Sequence, residues 1–434
     1  MKVCKFGGTS MATAASIRQV QDIIQSDPSR KFVVVSAPGK RFKGDAKITD
    51  LLYAAFNEKK SLGTAKNALS EIKSRFDALI KDLGLDLDIS PYIEDIETNL
   101  ALSPDFAASR GEYLAGIVVA EVLGFKFVDA GEIIKFKHDG GFDAESTNDL
   151  VAELKSITTG VVIPGFYGRL PDKSIKTFSR GGSDITGAII ARGIDAEIYE
   201  NWTDVNGFMV TDPTVIENPK QITALTYEEL RELSYMGASV LHPDSIFPLK
   251  GKGISINIRN TFAPEHPGTL ILKDASDFDR PIITGIAGKT GNTTITLKKS
   301  MMNTELGFGR RVLSVLERNG LSFEHIPTGI DTMSVVLDNS LNEQLEKKIV
   351  DEIRGKVNPD TIEVIHNLAL IAIVGHGMAN TMGIAAKIFT ALFHAGVNIR
   401  MIDQGSSEMN IIVGVEEHDY KKSITAIYHT FFKE

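Results

Sequence analysis

Cysteine is nearly missing from this chain. Cys4 is the single one among 434 residues, so no internal disulfide is available and a reducing compartment is the natural setting. A surplus of positive charge is missing too. Lys and Arg number 47 against 56 Asp and Glu, a net charge of −9, and no compact basic block stands out. That argues against nucleic acid as a partner. Long hydrophobic runs are also lacking: FVVVSA and LALIAIVG are strand-sized, well short of the roughly 18 residues a membrane span needs. No membrane segment is expected. The N-terminus carries no apolar stretch of signal-peptide length, and a cytoplasmic location is expected.

What is present suffices for more than one packed core. With 434 residues, 43% of them hydrophobic, the length suggests about three domains. From residue 1 to about 260, short β-rich runs alternate with helical patterns, which predicts a layered α/β sheet. VCKF, FVVVS, FKFVDA, GVVIPGF, EIYENW and ISINI read as strands. ASIRQVQDIIQSD and SDITGAIIARGI carry apolar residues three and four apart and read as covering helices. Residues 262–281 hold three prolines and a cluster of acids and read as a boundary. A first domain at 1–265 and a linker at 266–280 are therefore expected.

Beyond the boundary the chain repeats itself. GFGRRVLSVLERNGLSFEHIPT lines up with GIAAKIFTALFHAGVNIRMIDQ at an offset of 76, matching Gly307 with Gly383, Val312 with Ile388, Gly320 with Gly396 and Ile326 with Ile402. Each copy reads as a strand, a helix stopped by glycine, two strands and a helix. These are βαββαβ units resembling the ACT amino-acid-sensing domain. After EEHDYKKSITAIYHTFF no closing strand follows the second copy, whereas PIITGIAG at 281–288 has no partner in the first. The second unit is therefore expected to comprise 281–289 and 367–434, with the first, 290–366, inserted between.

Several polar loops follow strands in the first domain, where open α/β sheets bind ligands. KFGGTS puts Lys5 before the glycines, so it is not a P-loop. FSRGGSD places two glycines, Ser183 and Asp184 at a helix start beside Arg180, whose guanidinium suits bidentate capture of a carboxylate or phosphate. Each loop has a plain structural reading: GGSD as a helix cap, Glu112 of SRGE as a solvated acid, Lys5 as a strand-end lysine. GHGMANTMG imitates a dinucleotide fingerprint, but Asn380 stands where a third glycine is needed.

Together, KFGGTS, SRGE, RGGSD, WTDVNG, LTYEELRELSYMGASVLHP and the tandem repeats resemble, in order and spacing, the aspartate kinase family of the amino-acid kinase superfamily. The resemblance covers nearly the whole chain. It implies an α/β fold, a layered αβα sandwich followed by two ACT domains, and transfer of the γ-phosphoryl of Mg-ATP to the side-chain carboxylate of L-aspartate, a first step in lysine, threonine and methionine biosynthesis. No metal site made of protein side chains is expected. By resemblance, Lys5 reaches the transferring phosphoryl and Asp184 orients it. Gly7 and Gly8 offer backbone N–H groups, Ser10 lines the phosphate site, and Thr203 and Asp204 form the nucleotide-side loop. Thr49, Glu112, Arg180 and Ser183 would hold aspartate, Glu112 by its ammonium.

The resemblance has gaps. Relatives carry a lysine where this chain has Ser239 and an arginine where it has Thr214, and GKRFKGDAK at 39–47 is longer and more basic than the usual loop. That loop reads either as a solvated segment or as replacement phosphate charge from Lys40, Arg41 and Lys43. The repeats imply a homodimer or homotetramer and feedback by an amino acid, lysine first and threonine second, through Met301, Gly307, Phe308, Ser322, Glu324 and Thr328. Relatives often have Asp at the place of Glu324. The rivals are another amino-acid kinase, acting on acetylglutamate or glutamate, and a sensor that keeps the kinase fold without catalysis.

Overall fold

A computed structural model describes residues 1–432 except 180, 239, 242, 276, 277, 279, 280, 339 and 340. The chain divides into two compact units: Met1–Phe208, Gln221–Leu230 and Ser239–Phe278 form the first, and Met209–Lys220, Arg231–Ala238 and Asp279–Glu434 the second.

In the first unit the strands are β1 (Lys2–Phe6), β2 (Arg30–Val35), β3 (Lys126–Phe127), β4 (Val161–Pro164), β5 (Tyr167–Arg169), β6 (Ile175–Thr177), β7 (Ile198–Thr203), β8 (Ala224–Thr226), β9 (Ser255–Asn260) and β10 (Thr269–Leu272). β5 and β6 make a separate hairpin; the other eight form one sheet in the order β3-β4-β2-β1-β7-β9-β10-β8, antiparallel only between β9 and β10. Val33, Val34 and Val35 are all fully buried, because helices cover both faces and the strand cannot alternate. All six strands read from the sequence are present. β10 is a difference: it lies within the stretch expected as a linker. Its TLIL pairs with both β8 and β9, and Pro264 and Pro267 fall in the connection between β9 and β10, where the Pro264 carbonyl accepts from Arg259.

The chain leaves β1 toward β2 on one side and later places β7 on the other, so the order reverses at β1. Open α/β sheets bind ligands at such a switch point, beyond the carboxyl ends of the strands. Phe6 pairs with Trp202 there, and Lys5 with Asn201. The helix Pro104–Leu123 is capped by the Ser103 hydroxyl, which accepts from Phe106 N, and stops at Gly124 in a left-handed conformation. It is buried on almost every side. Small residues allow this: a Cβ on Gly111 would stand 2.7 Å from that of Ala37.

The second unit holds β11 (Gly285–Lys298), β12 (Thr332–Leu337), β13 (Thr361–Val374), β14 (Ile399–Asp403) and β15 (Asn410–Glu416), an antiparallel sheet ordered β12-β11-β13-β15-β14. β11 and β13 run 14 residues each and serve both repeats. Gly285–Lys289 pair with Leu370–Val374, whereas Ile295–Lys298 pair with Thr361–Val364 and also with β12. The register breaks between Lys289 and Thr294, where Gly291 is left-handed and Asn292 donates its side-chain amide to the carbonyls of Lys289 and Leu368. The expected closing segment 281–288 thus contributes its residues from Gly285 onward to the strand beside the second repeat. Gly307 and Gly383 precede their helices in the same left-handed conformation, with φ of 75° and 83°.

Candidate active site

Lys5 is the penultimate residue of β1, and its side chain emerges where the sheet order reverses. It is 8% exposed, and its Nζ lies 2.6 Å from Asp184 Oδ1. Asn201 of β7 donates Nδ2 to the same oxygen at 2.9 Å, and Tyr199 donates its hydroxyl to the Asp184 carbonyl at 3.1 Å. Asp184 sits in the first turn of the helix Gly182–Gly193, where a carboxylate is favoured by the helix dipole. The two glycines before it do different work. Gly181 is left-handed at φ 56°, and a Cβ on Gly182 would stand 2.9 Å from Phe166 Cα.

Behind β1, the Gly7 N–H is spent on the Trp202 carbonyl at 3.0 Å and is not open to a phosphate. Gly8 and Thr9 open a short 3-10 turn, and their amides meet no acceptor among the described residues. A Cβ on Gly8 would stand 2.9 Å from the Ala37 carbonyl. Ser10 departs from expectation. The turn directs it inward, it is fully buried, and its hydroxyl bonds Thr261 Oγ1 at 2.8 Å, so it pins the turn to β9's end and does not line a phosphate site. Thr9 donates to Asp204 Oδ2 at 3.0 Å, and Thr203 lies beside the same carboxylate, linking the loops after β1 and β7.

Glu112 comes from the middle of Pro104–Leu123, brought close by the Gly111–Ala37 contact. It is buried, its Oε2 has no hydrogen-bond partner among the described residues, and burial pushes its pKa up to about 8 against the lowering effect of backbone N–H groups and of Arg110 and Lys5. A buried carboxyl with an open oxygen suits an incoming ammonium. Ser183 packs against Gly165 at the end of β4, and Thr49 opens the helix Ile48–Leu62. Arg180 and Ser239 lie outside the described residues.

The basic loop is exposed at residues 40–44 and 47, yet it is tied by Arg41, Asp45 and Arg75. Asp45 accepts from Arg41 Nε at 2.8 Å and Nη2 at 2.9 Å, so Arg41 is spent, while Lys40, Lys43 and Lys47 remain exposed without an ion pair among the described residues. Neither Asn201 nor the Ser10–Thr261 bond was readable in the sequence. Alternation along EIYENW could have placed Asn201 on one face with Tyr199, but the register to β1 has no local signal. Among the described residues no three His, Cys, Asp or Glu side chains gather in a group that could hold a metal.

The amino acid kinase family profile matches residues 1–260, and an ACT domain profile matches 371–431. Aspartokinase 3 of Bacillus subtilis is 38% identical, over 100% of this chain and 99% of the relative. The crystal structure of Clostridium acetobutylicum aspartate kinase is similar at 49% identity and a TM-score of 0.94, covering 99% of this chain and 100% of that one. Escherichia coli aspartokinase III is 27% identical with full coverage of both chains; its TM-score is 0.80 for the R-state structure with aspartate and ADP and 0.77 for the T-state structure with lysine and aspartate. The chain belongs to the aspartokinases. It is an ATP-dependent phosphotransferase with a carboxyl group as acceptor.

The second unit of this aspartokinase does not gather the six expected effector residues. Met301, left-handed and 68% exposed, and Gly307 precede the helix Phe308–Arg318, Phe308 opens it and is buried in the core, and Thr328 forms an isolated antiparallel bridge with Met333. Ser322 follows that helix's far end, beside an open cavity of about 800 Å³ lined by Arg310, Leu313 and Phe323. An 11-residue helix spans about 16 Å. Glu324 is ion-paired with Lys289, whose Nζ lies 4.7 Å from the Tyr235 ring.

Proposed function

We propose that this aspartokinase transfers the γ-phosphoryl of Mg-ATP to the side-chain carboxylate of L-aspartate at the carboxyl ends of β1 and β7. The observation that carries the reading is the buried Lys5–Asp184 pair, 2.6 Å apart, at the switch point of the sheet. The acceptor carboxylate, with a free pKa of about 3.9, is already ionised at neutral pH and needs no general base. Positioning and neutralisation of phosphate charge are then what the protein must supply. Lys5, held by Asp184 and Asn201, supplies the charge to the transferring group, and the amides of Gly8 and Thr9 receive phosphate oxygens. Glu112 takes the substrate ammonium, with Thr49, Ser183 and Arg180 completing the aspartate site. Thr203 and Asp204 stand on the nucleotide side.

Feedback by lysine is the favoured regulation, supported by the lysine complex of the Escherichia coli relative, with threonine second. Because one chain separates the effector residues, a pocket made with a second copy in a dimer or tetramer is the arrangement that would join them. The place of the reaction at the head of lysine, threonine and methionine synthesis, in the cytoplasm, follows from the same likeness.

Trapping the acyl phosphate with hydroxylamine while aspartate, glutamate and acetylglutamate are offered in turn tests the assignment. Hydroxamate should form with aspartate alone; its formation only with glutamate or acetylglutamate would replace the substrate.

A further inference from the structure

We propose that Arg75 is a positioning residue for phosphoryl transfer: with Asp45 and Arg41 it locks residues 39–47 into a fixed strap that holds Gly8 in place and sets where Thr49 stands. The inference rests on the reading that Gly8 faces a phosphate and Thr49 the acceptor.

The strap touches the phosphate turn backbone to backbone. Gly39 donates its N–H to the Gly8 carbonyl at 2.8 Å, and a Cβ on Gly39 would lie 2.9 Å from the Gly8 carbonyl carbon. With no side chain between them, a shift of one is a shift of the other. At the far end the Ile48 N–H reaches the Pro38 carbonyl at 3.3 Å, closing the base just before Thr49.

Arg75 comes from the helix Lys66–Leu83, a different part of the chain. Its Nη1 donates to the Ala46 carbonyl at 2.7 Å and its Nη2 to the Gly39 carbonyl at 3.2 Å, so one planar group ties both ends of the strap. Nη2 also lies 3.5 Å from Asp45 Oδ2. Asp45 in turn accepts from the Arg41 amide at 3.0 Å as well as from its guanidinium, folding the strap onto itself. The Arg75 and Asp45 side chains are only 7% and 5% exposed. Burying a guanidinium is costly unless its donors are matched, and here two carbonyls and a carboxylate match them. A lysine at 75 has the charge but not the planar fork that spans both carbonyls.

The test compares Arg75→Ala, Arg75→Lys and Asp45→Asn in the full-length enzyme by steady-state kinetics and by amide hydrogen exchange. Arg75→Ala should lower kcat about ten- to a hundredfold and raise the aspartate KM, since sub-ångström placement of reacting groups carries that much rate. Arg75→Lys should recover part of the loss. Exchange should quicken at 7–12 and 38–49 while the helix Pro104–Leu123 stays protected. Kinetics within twofold of the parent enzyme and unchanged exchange would overturn the proposal, as would exchange that quickens evenly through the first unit, the mark of a residue that only stabilises. Faster local exchange with unchanged kinetics would overturn instead the placement of phosphate at Gly8. Should Arg75→Ala fail to fold, Asp45→Asn carries the same outcomes.

Discussion

The two units treat their key residues in opposite ways. In the first, Lys5, Asp184, Asn201 and Glu112 come from four separate elements and are all buried or half-buried, with Lys5 and Asp184 at 2.6 Å. In the second, some of the expected effector residues lie at both ends of one helix, and large apolar side chains face outward: Met382 is 98% exposed, Leu306 93% and Phe393 75%. Chemistry on phosphate needs groups fixed before substrate arrives, which buried, mutually bonded side chains such as Lys5 and Asp184 provide. Control needs an equilibrium that a ligand can bias, which is served by surfaces whose contacts are not yet all made.

The contrast breaks most visibly at Lys5. Lys5→Ala should lower kcat about a hundred- to a thousandfold while aspartate binding, measured by calorimetry, changes little, because the charge is needed mainly as the phosphoryl group transfers. An unchanged kcat would remove Lys5 from the site and with it the idea of groups fixed in advance.

Next in size is the pH dependence from Glu112. Its folded pKa is raised to about 8, so in the empty site the carboxyl keeps its proton at neutral pH. Stability from that proton is full below the unfolded value near 4.5 and is lost as pH rises through about 8. Binding an ammonium requires the ionised form, so the aspartate KM should fall about tenfold per unit from pH 6 toward 8 and then level off. Glu112→Gln should raise KM and flatten the profile. A flat profile in the parent enzyme would place the ammonium elsewhere.

Smaller effects sharpen the other side. Phe393→Asp should reduce the oligomer measured by sedimentation and weaken lysine inhibition several-fold, with turnover in the absence of lysine unchanged; an unaltered assembly would show that this face is not an interface. Glu324→Ala should raise the lysine concentration for half-inhibition about tenfold, since the acid now paired with Lys289 would no longer be available to the effector ammonium. Unaltered inhibition would move the pocket away from Glu324.

Much of the fold was legible. The apolar runs of β1, β2, β4, β7 and β9 and the helical spacing of ASIRQVQDIIQSD and SDITGAIIARGI are local patterns, and the 76-residue offset between the repeats exposed the doubled unit. β10 was hidden because four residues between prolines carry too little pattern to outweigh the look of a linker. The site was legible as loops but not as bonds. Ser10 reads like the other hydroxyls of KFGGTS, and only the turn that follows β1 sends it into the core. The basic loop looked untethered because nothing within it shows that Arg75, in the helix Lys66–Leu83, ties its two ends.

By itself the sequence determined the element types, the family and the chemistry of the loops, because propensity, periodicity and motif composition are properties of neighbouring residues. The tertiary structure alone decided which loops meet. The register of β1 on β7 sets Asn201 beside Lys5, the close Gly111–Ala37 contact brings the Glu112 helix against the end of β2, and the break near Asn292 passes one strand from one repeat to the other. Those outcomes depend on contacts between distant segments, whose partners are selected by packing across the whole sheet and leave no mark on either segment read alone.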